Sequence, residues 1–133
     1  MPGVNDWLKK ASSDLKASKK LSDDDETLDC SVFHTHQCAE KIFKAFIVFS
    51  KKPIPKTHDL RFLLLCCVEV DPEVMLLSDE SKGLDAYGQD SRYPNDHFYV
   101  DKQCTEKAIE MAEKILITIK KKLNIRAQTK IIF

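Results

Sequence analysis

The sequence predicts an all-α protein: an antiparallel, up-and-down bundle of four to five helices. Three observations lead there. Apolar residues recur at three- and four-residue spacing through several long stretches, and no stretch alternates convincingly as a strand does. Prolines fall between those stretches rather than inside them, at Pro53, Pro55 and Pro72. The chain has 133 residues, 43% of them apolar, which is the size of one domain with a real core.

Each element has its own signal. Over 4–21, Val4, Trp7, Leu8, Ala11 and Leu15 share one face at 100° per residue, so this segment is an amphipathic helix. The run "SDDDE", 22–26, makes an acidic turn and places negative charge at the positive end of the next helix. That helix covers 26–50, with Leu28, Val32, His36, Ala39, Phe43 and Phe46 on one stripe. Its other side carries Cys30, His34, Gln37, Ala45 and Val48 and is mildly apolar, which suits a second packing partner. "SKKPIPK" ends it.

Thr57 is the expected N-cap of a third helix, "HDLRFLLLCCVEV", with Leu60, Leu63, Leu64 and Cys67 buried. "VDPE" breaks this helix. A fourth piece over 73–87 carries Val74, Leu77, Leu84 and Tyr87, with Gly88 expected just past its end. Residues 89–99 read as a loop. Asp101 caps a last helix, about 101–124, whose inner stripe is Thr105, Ala108, Ile109, Ala112, Leu116, Ile119 and Leu123. Residues 125–133 show no period and are expected to be a short tail. The Lys120–Lys122 run reads as a solvated helix end. The whole is one domain, 1–133, with its bundle over about 4–124.

Charge and cysteine usage narrow the function. Lys and Arg total 21, as do Asp and Glu, so any contact with RNA has to be local rather than a property of the whole surface. No run is long and apolar enough to span a membrane, and the first residues lack a signal-peptide core, so a cytoplasmic protein is expected. The five cysteines include no Cys-x-x-Cys spacing and read as free thiols. Cys30, His34 and Cys38 span too much of one helix for a tetrahedral zinc site, and no metal or other cofactor is expected.

Three blocks, "FHTHQCAEKIFKAF" at 33–46, "PKTHDLRFLL" at 55–64 and "YGQDSRYP" at 87–94, together with the long last helix, resemble the HEPN domain family (higher eukaryotes and prokaryotes nucleotide-binding) over about 5–124. The "RYP" of the third block is similar to that of one branch of the family. The resemblance implies a four- or five-helix bundle that commonly dimerises. It also implies one of two activities. Some branches are metal-independent ribonucleases carrying Arg-x4–6-His, and some of these are toxins paired with a nucleotidyltransferase antitoxin. Others bind nucleotides such as ATP or GTP, or dock a nucleotidyltransferase, without cleaving RNA.

The candidate catalytic pair is Arg92 and His97 in "DSRYPNDHFY". Metal-free RNA cleavage needs an acid/base group that works near neutral pH, which suits imidazole. It also needs a fixed cation on the phosphate, which suits guanidinium. Tyr99 completes Arg-x4-His-x-Tyr, and the resemblance implies that a partner modifies this tyrosine with AMP. In the plainer reading, Arg92, Tyr93 and Pro94 staple a loop to the bundle, with Arg92 paired to Asp85 or Asp90. Tyr93, His34 and Lys41 are the candidates for binding a nucleotide or a partner; the line through Cys30, His34, Cys38 and Lys41 reads as a dimer face or part of a nucleotide pocket. His36 reads as a hydrogen-bonded core histidine. His58 is expected to reach back to the connector before its helix.

Overall fold

The computed structural model of the protein describes residues 2–90 and 100–132. Five α-helices run in the order α1 (Val4–Leu21), α2 (Leu28–Phe49), α3 (Leu60–Val70), α4 (Ser78–Asp90) and α5 (Lys102–Ile132), with 3₁₀ turns at Asp25–Thr27 and Pro72–Leu77. Each helix packs on the next, and α5 closes back on α1 and α2. No described helix is long and apolar enough to cross a membrane.

α2 is the axis of the bundle. α1, α3, α4 and α5 all pack on it. Its predicted stripe is buried throughout, and Cys38, Ile42, Ala45 and Ile47 are buried as well. The second packing partner expected for its other side is therefore present, in the form of α1 and α5. Over most of its length this helix leaves little free face on which to solvate polar groups.

Local chemistry explains the boundaries. α1 begins where Asp6 accepts the Gly3 N–H at 2.9 Å. α2 starts two residues later than its pattern predicts. Asp24 accepts from Glu26 N at 2.9 Å, and Thr27 Oγ1 donates to Leu21 O at 2.7 Å, which winds 25–27 into a 3₁₀ turn first. α2 stops at Lys51, whose φ of 59° folds the chain back, so that Lys52 N donates to Ile47 O at 3.2 Å. The cap of α3 is Asp59, accepting from Arg61 N at 3.0 Å and Phe62 N at 3.3 Å; Thr57 only receives the Asp59 N–H, at 3.1 Å. The carboxylate two positions nearer the helix reaches its free N–H groups and the hydroxyl does not.

The fourth piece differs from the pattern in being two elements. Asp71 accepts from Glu73 N at 3.1 Å, Pro72 opens the 3₁₀ turn, and α4 follows and runs to Asp90. Gly88 thus lies inside α4 rather than beyond it. Asp101 caps α5 as expected, accepting from Cys104 N at 2.7 Å. α5 then continues to Ile132, well past 124. Lys122 is not simply solvated. Its ammonium bridges Asp71 and Glu73, at 2.9 Å each, and ties α5 to the start of the 3₁₀ turn. Arg126 adds to this clasp, 3.6 Å from Asp71 and 5.4 Å from the Phe46 ring centre.

Two stability outcomes are expected. Lys51→Gly should raise stability by about 0.5–1 kcal/mol, because glycine meets the left-handed backbone without a Cβ penalty. Phe43→Ala, in the fully buried centre of α2, should cost about 3–5 kcal/mol. Urea unfolding followed by circular dichroism measures both.

Candidate functional site: buried carboxylates along the central helix

Arg92, Tyr93, His97 and Tyr99 lie outside the described residues. His34 and Lys41 are described. Each sits on α2 beside a buried carboxylate from which its surroundings are built.

Glu40 is fully buried. Its Oε2 accepts from Lys44 Nζ at 2.9 Å and Lys41 Nζ at 3.3 Å, and its Oε1 lies 2.9 Å from His58 Nδ1. Burial by itself would drive this carboxyl up. The hydrogen bonds from Lys44 and His58, with the charge of Lys41, overcome it and hold the group below its ordinary 4.5. Lys41 also donates to Gln37 Oε1 at 3.2 Å. Trp7 of α1 faces both ammonium groups, 5.9 Å from Lys41 Nζ and 5.7 Å from Lys44 Nζ at its ring centre. His58 therefore reaches α2, not the connector as expected from its position.

Asp85 of α4 is the second centre. Its Oδ1 is 3.0 Å from His36 Nε2 and 3.0 Å from Leu60 N, and its Oδ2 accepts from Arg61 N at 3.2 Å. Burial opposes its ionisation, but the His36 and backbone bonds hold its pKa below the ordinary 3.8. One carboxylate thus joins α4 to α2 and to the start of α3. His36 is the hydrogen-bonded core histidine that its place on the stripe predicts.

Asp14 of α1 is the third. It is 3% exposed, and its Oδ1 lies 3.1 Å from Nδ1 of half-exposed His34. α1 therefore lies along the line through Cys30, His34, Cys38 and Lys41. Cys38 is buried there, its thiol pushed up to about 12 by burial, and Cys30 stays exposed. His34 and Lys41 share this side of α2, but each is engaged with its own acid. Among the described residues no three metal-ligating side chains come together.

Glu40, Asp85 and Asp14 are the residues that sequence reading passed over as site residues. Glu40 had a signal: an acid on a buried helix, four residues before a lysine. Asp14 lies between the inward Ala11 and Leu15. Asp85 entered only as a partner for Arg92; its pairing with α2 and α3 had no usable signal, because those partners are 49 and 25 residues away.

The fold and these clusters define a class: an all-α bundle whose central helix is held by buried ion pairs. The HEPN domain family model matches residues 4–123, and the chain belongs to that family. An archaeal HEPN homologue of known crystal structure is similar at 25% identity and a TM-score of 0.75, over 92% of this chain and 98% of its own. A protein from Thermus thermophilus is similar at 25% identity and a TM-score of 0.74, over 92% of this chain and 99% of its own. A comparison with curated proteins gave no significant match.

The lowered Glu40 pKa has a definite consequence. A carboxyl depressed in the folded state contributes stability that is complete above its ordinary 4.5 and is lost as pH falls through the folded value. Stability is therefore expected to decline below about pH 4.5, measured by urea midpoints across pH 3–7. Glu40→Ala, which strands Lys44, should cost about 3–5 kcal/mol at pH 7 and flatten that decline.

Proposed function

We propose that this HEPN domain is a metal-independent endoribonuclease, with Arg92 and His97 as its catalytic pair. The observation that carries the reading is the state of Asp85. Its carboxylate already serves His36, Leu60 N and Arg61 N, so of the two staples open to Arg92, to Asp85 or to Asp90, the first would share an acid that three groups already use, which supports a role for Arg92 beyond it. Arg92 follows two residues after α4 ends at Asp90, and Asp85 anchors that helix. Closeness in sequence to an anchored helix end supports a catalytic role for the motif, since a catalytic group needs a rigid support.

The chemistry follows from the residue types. His97 takes the proton of a ribose 2′-OH, whose oxygen attacks the adjacent phosphorus. The bond to the 5′ oxygen breaks, and a protonated imidazole returns a proton to that oxygen. Arg92 holds the non-bridging oxygens as their charge grows. In a homodimer the two imidazoles divide the base and acid roles. Exposed Phe62, Leu65 and Leu76 offer apolar surface for such a pairing. A nucleotidyltransferase partner that adds AMP to Tyr99 would block the phosphate site and silence a toxin of this kind.

The second reading is a dimeric module that binds a nucleotide such as ATP or GTP, or docks a nucleotidyltransferase, without cleavage. The partly exposed imidazole of His34 and ammonium of Lys41 on one side of α2 favour it.

Purified protein incubated with RNA in EDTA separates the two. Cleavage should fall at least about 100-fold in Arg92→Ala and in His97→Ala, consistent with loss of acid/base and charge stabilisation. Intact RNA with measurable ATP or GTP binding would favour the module instead. Mass spectrometry after co-expression with a nucleotidyltransferase is expected to find AMP on Tyr99; AMP on Tyr93 would exclude that assignment.

A further inference from the structure

Arg92 and His97 stand in sequence between two helix ends, and described residues tie those ends to each other. Tyr87 lies in the last turn of α4, and Asp101 caps α5. The Tyr87 side chain hydrogen-bonds that of Cys104, in the first turn of α5. The Cys104 side chain in turn bonds Asp101, whose Oδ1 also accepts the Cys104 N–H at 2.7 Å. The residue types set the direction of this chain. The phenol O–H donates to sulfur, and the S–H donates to a carboxylate that can only accept. Burial first, then the adjacent sulfur and the charge of Asp101, push the Tyr87 phenol above its ordinary 10.0. The Cys104 N–H and thiol hold the Asp101 carboxyl below its ordinary 3.8.

Packing supports the same junction independently. One turn before Tyr87, Gly83 stands so near α5 that a Cβ there would lie 2.9 Å from Met111 Sδ. Gly83 and Tyr87 share one side of α4, and Cys104, Ala108 and Met111 share one side of α5. Tyr87 and Val100 both pack against the core. The two helices therefore meet side by side up to the turns where the chain leaves one and enters the other. A segment whose two ends are held together has fewer placements open to it than one held at a single end.

We infer that Tyr87 and Cys104 are positioning residues for the segment that carries Arg92 and His97, clamping its two ends together through Asp101. Neither is a catalytic residue; each acts through the backbone between them. The consequence for cleavage rests on the proposed function, whereas the clamp rests on the Tyr87–Cys104–Asp101 chain and the close approach at Gly83.

The test compares Tyr87→Phe, Cys104→Ala and Cys104→Ser with the wild-type chain. Tyr87→Phe removes one O–H, and Cys104→Ser keeps a group that both donates and accepts. In RNA cleavage, Tyr87→Phe and Cys104→Ala should lower kcat at least about tenfold and change KM less than about twofold, because a misplaced pair reacts slowly with substrate that is still bound. Cys104→Ser should recover most of that loss. A second readout needs no cleavage. The His97 ring signal in a carbon–proton NMR spectrum, assigned with His97→Gln, should move in Tyr87→Phe and Cys104→Ala and return in Cys104→Ser, while the His34 and His58 signals stay in place. An unmoved His97 signal in the first two variants overturns the clamp, as does a Cys104→Ser variant no better than Cys104→Ala. An unchanged kcat in these variants, where Arg92→Ala has lost cleavage, overturns the positioning role. If the wild-type chain leaves RNA intact, the cleavage reading falls by itself, and the His97 signal still decides the clamp.

Discussion

A fully buried carboxylate must be matched by donors, and the match at Glu40 organises one side of this molecule. The acid comes from the middle of α2, its cations from the next turn of the same helix, and its imidazole from the connector before α3. Removing any of these leaves a charge in a medium that solvates it poorly. The connector with two prolines is thereby held to the central helix at His58. The cations so gathered give α1 a reason to place its tryptophan there.

Asp85 repeats the device one helical turn away along α2. It carries α4 to α2 through His36 and caps α3 through two backbone N–H groups. Capping from a distant helix is worth more than satisfied donors. It fixes where α3 begins relative to α4, and so where the chain leaves α4 for the segment that bears Arg92 and His97. With Asp14 on α1, three acids secure three helices to one axis, while apolar contact supplies the bulk of the burial. The ion pairs contribute register more than net stability, since desolvation offsets much of their attraction.

This economy bears on function. The buried acid Glu40 is paired with the cations beside it, and the chain as a whole balances 21 basic against 21 acidic residues. A chain with balanced charge lacks the general attraction to nucleic acid of a basic one, so any contact with a phosphate has to be local. The proposed catalytic pair follows a helix that Asp85 anchors to α2 and α3, pairings that the sequence does not announce.

Sequence alone determined what is local. The span of α1, the buried stripe of α2 and the Asp101 cap of α5 follow from a 3.6-residue period and from side chains that meet their own helix ends. The same logic misplaced the cap of α3, because Thr57 and Asp59 both suit the role and only the backbone path decides between them. It ended α5 early, because the last turns carry little period to read. Tertiary structure alone decided the polar pairings. Glu40 meets His58 across 18 residues, His34 meets Asp14 across 20, and His36 meets Asp85 across 49. Such contacts leave no trace in periodicity, because a charged side chain on a helix is soluble by default. Only the packing of four helices around α2 excludes water from these acids and forces each to find its partner.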